Sequence, residues 1–287
     1  MTELTVLPGL RAWADRYDAI LCDVWGVLHD GVNVHPDAAD ALQRFRAGGG
    51  RVLLLSNAPR PGHLVIEQLE GMGVPRDAYD DALSSGDVAR AWLMDRPNLP
   101  IGLITAAMHE PTLEGIPLQI VGPEAAEYLL VTAMEDDETE SPEDYREILS
   151  RYREADVPLV CANPDYVVER GGRLIYCAGA LADMYRDMGG EVIDTGKPSS
   201  LIYDTALQRL RDLRGEQIAL DRLLAIGDAV RTDAKGAADL GCDLLFMAQG
   251  IHADDVLRDG EIDQGAAATL FSKAGVQPRA IQTKLRW

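Results

Sequence analysis

The sequence is poor in positive charge. Its 287 residues include 27 lysines and arginines against 47 aspartates and glutamates, which gives a formal net charge of -20 at pH 7. Such a balance disfavours contact with the phosphates of nucleic acids and with anionic membrane surfaces. We therefore expect no nucleic-acid partner and no membrane partner. A small anionic substrate stays open, provided that a metal ion or a lysine offsets the general negative field.

Cysteine is also scarce, and no long hydrophobic run is present. The cysteines show none of the close paired spacings of a zinc or redox site and are expected to be buried thiols. They are Cys22, Cys161, Cys177 and Cys242. Residues 1–18 mix charged and apolar side chains, so we expect neither a signal peptide nor a membrane anchor. These absences favour a cytoplasmic location. The sequence does not distinguish a monomer from a homo-oligomer.

The glycine patterns of nucleotide-binding loops are missing as well. Residues 190–198 have the wrong glycine spacing for a phosphate-binding P-loop, and Pro198 stands where that loop needs Ser or Thr. No dinucleotide-binding fingerprint follows a strand. The sequence thus disfavours the common nucleotide-binding sites.

The sequence does contain short apolar runs that each stop at a polar or glycine-containing turn, as buried parallel strands do. These runs are residues 19–22, 52–55, 223–226 and 244–247. Between the first two, residues 36–46 have apolar side chains at helical spacing, and three glycines follow as a stop signal. Alternation of strand and helix predicts an α/β fold with a parallel sheet and helices on both faces. Ligands bind at the carboxyl ends of the strands in such folds.

A second set of alternations fills residues 84–190. Strands are predicted at residues 101–105, 118–121, 128–131 and 159–161, and Ser141 with Pro142 opens an amphipathic helix. We therefore predict an inserted α/β domain at 84–190 and a discontinuous core domain formed by 1–83 and 191–287. The acidic stretch 135–140 is interpreted as a solvated loop.

Polar residues stand directly after the core strands. Asp23 follows the first strand, where a carboxylate can act as a nucleophile, although a lone Asp at a strand end is more often a cap or turn residue. Ser56 and Asn57 follow the second strand and could donate hydrogen bonds to phosphate oxygens, but Ser-Asn-Ala-Pro is also ordinary turn chemistry.

Lys197 and two further aspartates complete the set. Lys197 lies in a loop that leads into a helix and would bring positive charge to a phosphoryl group, but alone it could equally be a surface lysine. Asp228 and Asp233 follow another buried strand, and carboxylate oxygens beside a third carboxylate suit Mg²⁺. Asp228 could instead cap the following helix.

In chain order, these elements resemble the four motifs of the haloacid dehalogenase superfamily, and the resemblance covers nearly the whole chain. It implies a Rossmann-like core and a hydrolase in which Asp23 forms an aspartyl intermediate. It also implies that Ser56 and Lys197 act at the phosphate-binding second and third motifs. The resemblance places Mg²⁺ between Asp23, the backbone carbonyl of Trp25 and Asp228, with Asp233 completing the acidic fourth motif.

The insert resembles the class IIA cap of NagD-type phosphatases, as do Gly-Lys-Pro at 196–198 and Asn-Pro-Asp at 163–165. That likeness implies that Asn163 and Asp165 line a loop facing a small phosphorylated substrate. A structural turn explains the two residues equally well.

One position departs from the family pattern. Family phosphatases carry a second aspartate two residues after the nucleophile, where it protonates the leaving group, and this chain has Trp25 there. An indole N–H cannot transfer protons in this way. His29 and Asp30 are the nearby candidates for a replacement acid.

Trp25 also keeps other functions open. A degenerate fold that binds a phosphorylated ligand or a protein partner needs no acid. A carbon–halogen hydrolase needs none either but has little use for Mg²⁺, and a phosphonate hydrolase needs an amine nucleophile that is not evident. Retention of the nucleophile, the lysine and the metal carboxylates favours a Mg²⁺-dependent phosphatase.

Overall fold

The computed structural model describes residues 4–287. The chain divides into two compact units. The first consists of the described residues of 1–56 together with 66–83 and 203–287, and the second of 57–65 and 84–202. None of the described helices is long and apolar enough to cross a membrane.

The strands of the described residues are numbered in chain order. They are β1 (Thr5–Val6), β2 (Ala19–Cys22), β3 (Arg51–Ser56), β4 (Asp81–Ser84), β5 (Pro100–Ile104), β6 (Gln119–Ile120), β7 (Tyr128–Val131), β8 (Leu159–Cys161), β9 (Val167–Arg170), β10 (Arg173–Tyr176), β11 (Val192–Asp194), β12 (Leu223–Gly227), β13 (Asp243–Met247), β14 (Leu257–Arg258), β15 (Glu261–Ile262) and β16 (Ala280–Gln282).

The α-helices are numbered in the same way. They are α1 (Pro36–Ala47), α2 (Gly62–Met72), α3 (Ser85–Met94), α4 (Glu110–Leu113), α5 (Arg146–Glu154), α6 (Ala178–Asp187), α7 (Ser200–Arg214), α8 (Lys235–Leu240), α9 (Ala253–Val256) and α10 (Gln264–Ala274).

The first unit is built on a seven-stranded sheet in the order β1-β16-β13-β12-β2-β3-β4. Strand β2 pairs in parallel with both β12 and β3, so that Leu21 lies opposite Ala225 and Leu53. All residues of β2 are buried, because both faces of a parallel sheet are covered. The predicted α/β fold with a parallel sheet is confirmed.

The carboxyl ends of three adjacent strands carry the polar residues singled out above. Asp23 follows β2, Ser56 ends β3, and Asp228 follows β12. Because the three strands are parallel neighbours, these ends lie at one edge of the sheet. The topology therefore brings Asp23 and Asp228 together although 205 positions separate them in the sequence.

The second unit contains a five-stranded sheet in the order β11-β8-β7-β5-β6 and a hairpin of β9 and β10. The five strands pair in parallel. Helix α5 packs Leu149 and Tyr152 into a core that also contains Leu129 and Leu159. The predicted helical face is confirmed, although its start at Pro142–Tyr145 is a 3₁₀ turn.

The end of the second unit differs from the sequence prediction. Residues 191–287 were expected to return to the core domain, but Val192 pairs with Leu159 and Asp194 with Cys161, which places β11 in the five-stranded sheet. Residues up to 202 stay with the second unit, and so do 57–65. The reason is strand pairing: β11 completes an edge of a sheet whose other members lie in the insert.

Candidate active site

Three aspartates form a compact cluster in the first unit. Asp23, Asp228 and Asp233 are only 8%, 6% and 4% exposed. One carboxylate oxygen from each lies within 4.8 Å of those of the other two. Buried carboxylates this close repel one another unless a proton or a cation neutralises them. The cluster is therefore a candidate site for a divalent cation.

Backbone hydrogen bonds hold two of the carboxylates, and the main chain of the third aspartate, in place. The amide of Ile251 donates to Oδ2 of Asp228 at 2.8 Å, and the amide of Ala229 donates to Oδ2 of Asp233 at 3.2 Å. The amide of Asp23 donates to the carbonyl of Ile226 on the neighbouring strand at 2.8 Å. Each aspartate is thus fixed by the chain around it.

Two glycines, which have no side chains, make room for the carboxylate of Asp228. A Cβ atom at Gly26 would lie 2.1 Å from Oδ2 of Asp228, and one at Gly250 would lie 1.7 Å from the same oxygen. Gly26 also has a φ of +84°, which side chains other than glycine rarely adopt. The Asp228 carboxylate can keep its position only because these two loops approach it without side chains.

Asp233 reaches the cluster through a wide helical turn. Residues Val230–Ala234 form a π-helical turn that runs directly into α8. Such turns are rare and concentrate at functional sites. This turn returns the fifth residue after Asp228 to the carboxylate cluster.

The residue two positions after Asp23 is packed against an aromatic neighbour. The rings of Trp25 and His29 meet edge to face with centroids 5.0 Å apart. Gly31 lies close to the indole, since a Cβ there would fall 2.4 Å from Cζ2 of Trp25. Nδ1 of the buried His29 accepts a hydrogen bond from the amide of Gly31 at 2.9 Å. The indole thus packs against its own loop while staying partly exposed.

Asp30, the other sequence candidate for a replacement acid, belongs to a turn. Its carboxylate accepts hydrogen bonds from the amides of Asn33 and Val32 and from the side-chain amide of Asn33. The hydrogen bond from the Asn33 amide is the main cause that lowers the pKa of Asp30 to about 2. A carboxyl group with so low a pKa is ionised at neutral pH and holds no proton to donate.

Ser56 and Asn57 fall in different units. Ser56 is buried at the end of β3 in the first unit, whereas Asn57 begins the part of the second unit that runs to residue 65. The predicted phosphate contact of both residues stays a prediction.

In the second unit, Asn57 connects the two loops that carry the remaining predicted residues. Its Oδ1 accepts from the amide of Lys197 at 2.7 Å, and its Nδ2 donates to Oδ1 of Asp165 at 2.9 Å and to the carbonyl of Lys197 at 3.3 Å. Asn57 and Lys197 are each 3% exposed. The buried amide of Asn57 thus fixes the backbone that carries Lys197.

Asn163 shapes the same loop. Its Oδ1 accepts from the amide of Asp165 at 3.3 Å, as in an Asx turn. Gly196 packs tightly here, because a Cβ would lie 2.5 Å from Oδ1 of Asn57 and 2.7 Å from Cδ of Pro164. The structure therefore brings Asn57, Asp165 and Lys197 together, and the turn interpretation of Asn163 accounts for its contact.

Sequence reasoning missed Gly26, Gly250 and the Ile251 amide. A single glycine such as Gly250 gives no signal in the sequence that it faces a carboxylate 22 positions away. The close contacts of the two glycines with Asp228 supply that information.

Comparison with known proteins shows the family to which the chain belongs. A family model for haloacid dehalogenase-like hydrolases matches residues 20–115, and a second model, for proteins similar to these hydrolases, matches residues 194–271. A haloacid dehalogenase-like hydrolase from Brucella suis 1330 is 42% identical with a TM-score of 0.86, and the match covers 97% of this chain and 100% of that one. This chain belongs to the haloacid dehalogenase-like hydrolase family.

More distant relatives share the fold. The p-nitrophenyl phosphatase from Archaeoglobus fulgidus is 18% identical with a TM-score of 0.69, and the match covers 93% of this hydrolase and 96% of that chain. The glycerol phosphate phosphatase from Mycobacterium tuberculosis, solved in complex with calcium, is 21% identical with a TM-score of 0.62 and is covered over 68%, against 83% of this chain. Among curated proteins, none matches this hydrolase.

Proposed function

We propose that this hydrolase is a Mg²⁺-dependent phosphatase that cleaves small phosphate monoesters with Asp23 as the nucleophile. The observation that carries the proposal is the buried cluster of Asp23, Asp228 and Asp233, whose ligand oxygens lie within 4.8 Å of one another. Hard oxygen ligands of this kind match Mg²⁺. The cation would offset the charge of the carboxylates and of the substrate phosphate.

The chain's own residues would divide the reaction into two steps. A carboxylate oxygen of Asp23 attacks phosphorus, and the bond from phosphorus to the alcohol oxygen breaks, so that the alkoxide leaves and takes up a proton. Water then hydrolyses the aspartyl-phosphate to inorganic phosphate and restores Asp23. The family resemblance gives Trp25 a role as a ligand through its backbone carbonyl and gives Lys197 the task of balancing phosphate charge.

A small monoester is the substrate class that we favour. The fold relatives named above are a p-nitrophenyl phosphatase and a glycerol phosphate phosphatase, and both names describe phosphate esters of small alcohols or phenols. We further assign substrate selection to the insert at 84–190, with Asn163 and Asp165 as its contact residues. Ser56 and Asn57 would contribute hydrogen bonds to phosphate.

The proposal is tested by phosphate release from a panel of monoesters with Mg²⁺ and with EDTA. Asp23→Asn should lower kcat by at least about 10³-fold, because the nucleophile is lost. Asp228→Asn should raise the Mg²⁺ concentration required for half-maximal rate. Asp254→Asn is the matched control, since Asp254 is an exposed carboxylate of the same unit, and it should leave both values unchanged. Full activity of Asp23→Asn would refute the proposal.

A second candidate is a binding protein without turnover, and Trp25 favours it because it stands where family phosphatases carry the proton-donating aspartate. Such a protein would bind phosphate esters in the presence of Mg²⁺ with an affinity that Asp228→Asn weakens, while the whole panel stays uncleaved over hours. Turnover of any monoester that depends on Asp23 decides for the phosphatase.

A further inference from the structure

A cavity in the first unit is lined by arginines. It has a volume of about 640 Å³, and five of its 14 lining residues are arginine. These are Arg11, Arg44, Arg51, Arg214 and Arg222. Only Asp15 and Asp18 contribute acidic side chains to the lining. Volumes of roughly 300 to 1,000 Å³ are typical of small-molecule sites. So high a density of guanidinium groups contrasts with the formal net charge of -20 of the chain.

The cavity lies at the opposite edge of the sheet from the aspartate cluster. Asp18 precedes β2, Arg51 opens β3, and Arg222 directly precedes β12. Asp23 follows the other end of β2. Asp23 lies five positions after Asp18 along extended chain, which corresponds to about 16 Å. An ion bound in this cavity is therefore not the phosphate of the proposed reaction.

Three of the arginines, here called the inner arginines, are held by carboxylates that they share with other arginines or with each other. They are Arg51, Arg214 and Arg222, and the shared carboxylates do not neutralise all of their charge. Asp18 accepts from Arg222 at 2.5 Å and from Arg214 at 3.1 Å, so one carboxylate serves two guanidinium groups. The buried Asp80 likewise serves Arg51 and a neighbour outside the lining, Arg46. Arg214 has a further partner in the exposed Glu216. The inner arginines are thus fixed in orientation while retaining donors.

The outer arginines face solvent. Arg44 pairs with Asp40, four residues earlier, and both side chains are about half exposed, so that the pair is weak. Arg11 is exposed, and within residues 4–287 the structure gives it no ion pair. Gly48, Gly49 and Gly50 also line the cavity, and a Cβ at Gly49 would meet nothing within 4 Å. A ligand can therefore approach the backbone closely.

We propose that this cavity binds a small polyphosphate-bearing anion, separately from the catalytic cluster. Guanidinium groups form paired hydrogen bonds with phosphate oxygens, and several of them around one cavity match an anion with more than one phosphate group. The inference does not depend on the proposed phosphatase activity.

The test is calorimetric titration of sodium tripolyphosphate, without divalent metal, into the folded chain of 287 residues. The double variant Arg11→Gln, Arg44→Gln should bind at least ten-fold more weakly than wild type. Its matched control is Arg258→Gln, Lys273→Gln, which removes the same charge from exposed positions outside the cavity and should bind like wild type. Circular dichroism verifies the fold of both.

Ser56→Ala distinguishes this cavity from the catalytic cluster and should leave tripolyphosphate affinity unchanged. If both double variants lose the same amount of tripolyphosphate affinity, the loss comes from the change in overall charge, and the proposal is overturned. Absence of binding to wild type, or loss of binding in Ser56→Ala alone, would overturn it as well.

Discussion

Trp25 raises the question of how the leaving group obtains its proton. Its indole packs against His29 and Gly31, and Asp30 is ionised within a turn. Neither Trp25 nor Asp30 can supply the general acid that normally accelerates such reactions by about 10²- to 10⁴-fold. The reaction should then depend on the intrinsic stability of the leaving alcohol.

We expect the rate to fall steeply as the pKa of the leaving group rises, with nitrophenyl phosphate cleaved well and alkyl phosphates poorly. Trp25→Asp should flatten this dependence and accelerate alkyl ester cleavage by at least ten-fold. Trp25→Phe keeps a ring without a titratable group and should preserve the steep slope. A series of aryl and alkyl phosphates measures the slopes, and a flat wild-type slope would show that another residue donates the proton.

His109 makes the stability of the second unit depend on pH. Burial is the main cause that lowers its pKa from the ordinary value of 6.5 to about 4, and the charge of Arg60 adds to it. Between these two values the unfolded chain binds more protons than the folded one. The free energy of unfolding therefore falls as the pH drops from 6.5 to 4, by on the order of 3 kcal/mol.

His109→Gln should remove this part of the pH dependence. Urea denaturation at pH 7 and at pH 4.5 gives the free energy of unfolding at each pH. The difference between the two values should be smaller in the variant than in wild type by roughly 2 to 3 kcal/mol. His63→Gln replaces an exposed histidine of the same unit and should behave like wild type. An equal pH dependence in all three proteins would contradict the assignment.

The loops around Asn57 are joined by hydrogen bonds between segments far apart in the sequence. Asn57 and Lys197 are 140 positions apart, and the side chain of Asn57 satisfies both the amide and the carbonyl of Lys197. Asn57→Ala should increase hydrogen exchange at the Lys197 amide and destabilise the second unit by about 2 kcal/mol. Hydrogen exchange read by mass spectrometry tests this. Ser150→Ala, which removes an exposed hydroxyl on α5, should leave exchange at Lys197 unchanged.

The strands could be predicted from the sequence because each is a short apolar run that ends at a polar turn. The run at 19–22 coincides with β2, and that at 223–226 lies within β12. Since parallel strands end at one edge, the pattern predicted that Asp23 and Asp228 lie at the same edge of the sheet. The adjacency of β2 and β12, which brings the two residues together, is seen only in the structure.

The partners of the loops could not be predicted in this way. Nothing in residues 192–194 indicates that they pair with β8, because any apolar segment could complete either sheet. The arginine cavity likewise collects residues from five separate segments, and its charges look like ordinary surface arginines until the fold brings them together.

The net charge of -20 should make the stability of the whole molecule depend on ionic strength. Like charges repel in the compact state, and salt screens this repulsion over a Debye length that falls from about 30 Å at 0.01 M to about 8 Å at 0.15 M. The Tm should rise by several degrees as NaCl increases over this range.

Mg²⁺ should stabilise the molecule beyond this screening effect if it binds the aspartate cluster. At equal ionic strength, MgCl₂ should raise the Tm more than NaCl does, because binding to the folded state alone adds stability. Asp228→Asn should abolish the additional increase, and Asp254→Asn should retain it. Identical Tm values in the two salts for wild type would argue against a metal site.

Gly250 offers a way to find the natural substrate. A single methyl group at this position would collide with Asp228, yet it changes neither the charge of the protein nor the chemistry of Asp23. We expect Gly250→Ala to displace the carboxylate and slow turnover while the second unit keeps its structure. A cell extract would be incubated with wild type and, separately, with the Gly250→Ala variant, whose net charge is the same. Mass spectrometry of the metabolites would then reveal the compound that only the wild type consumes.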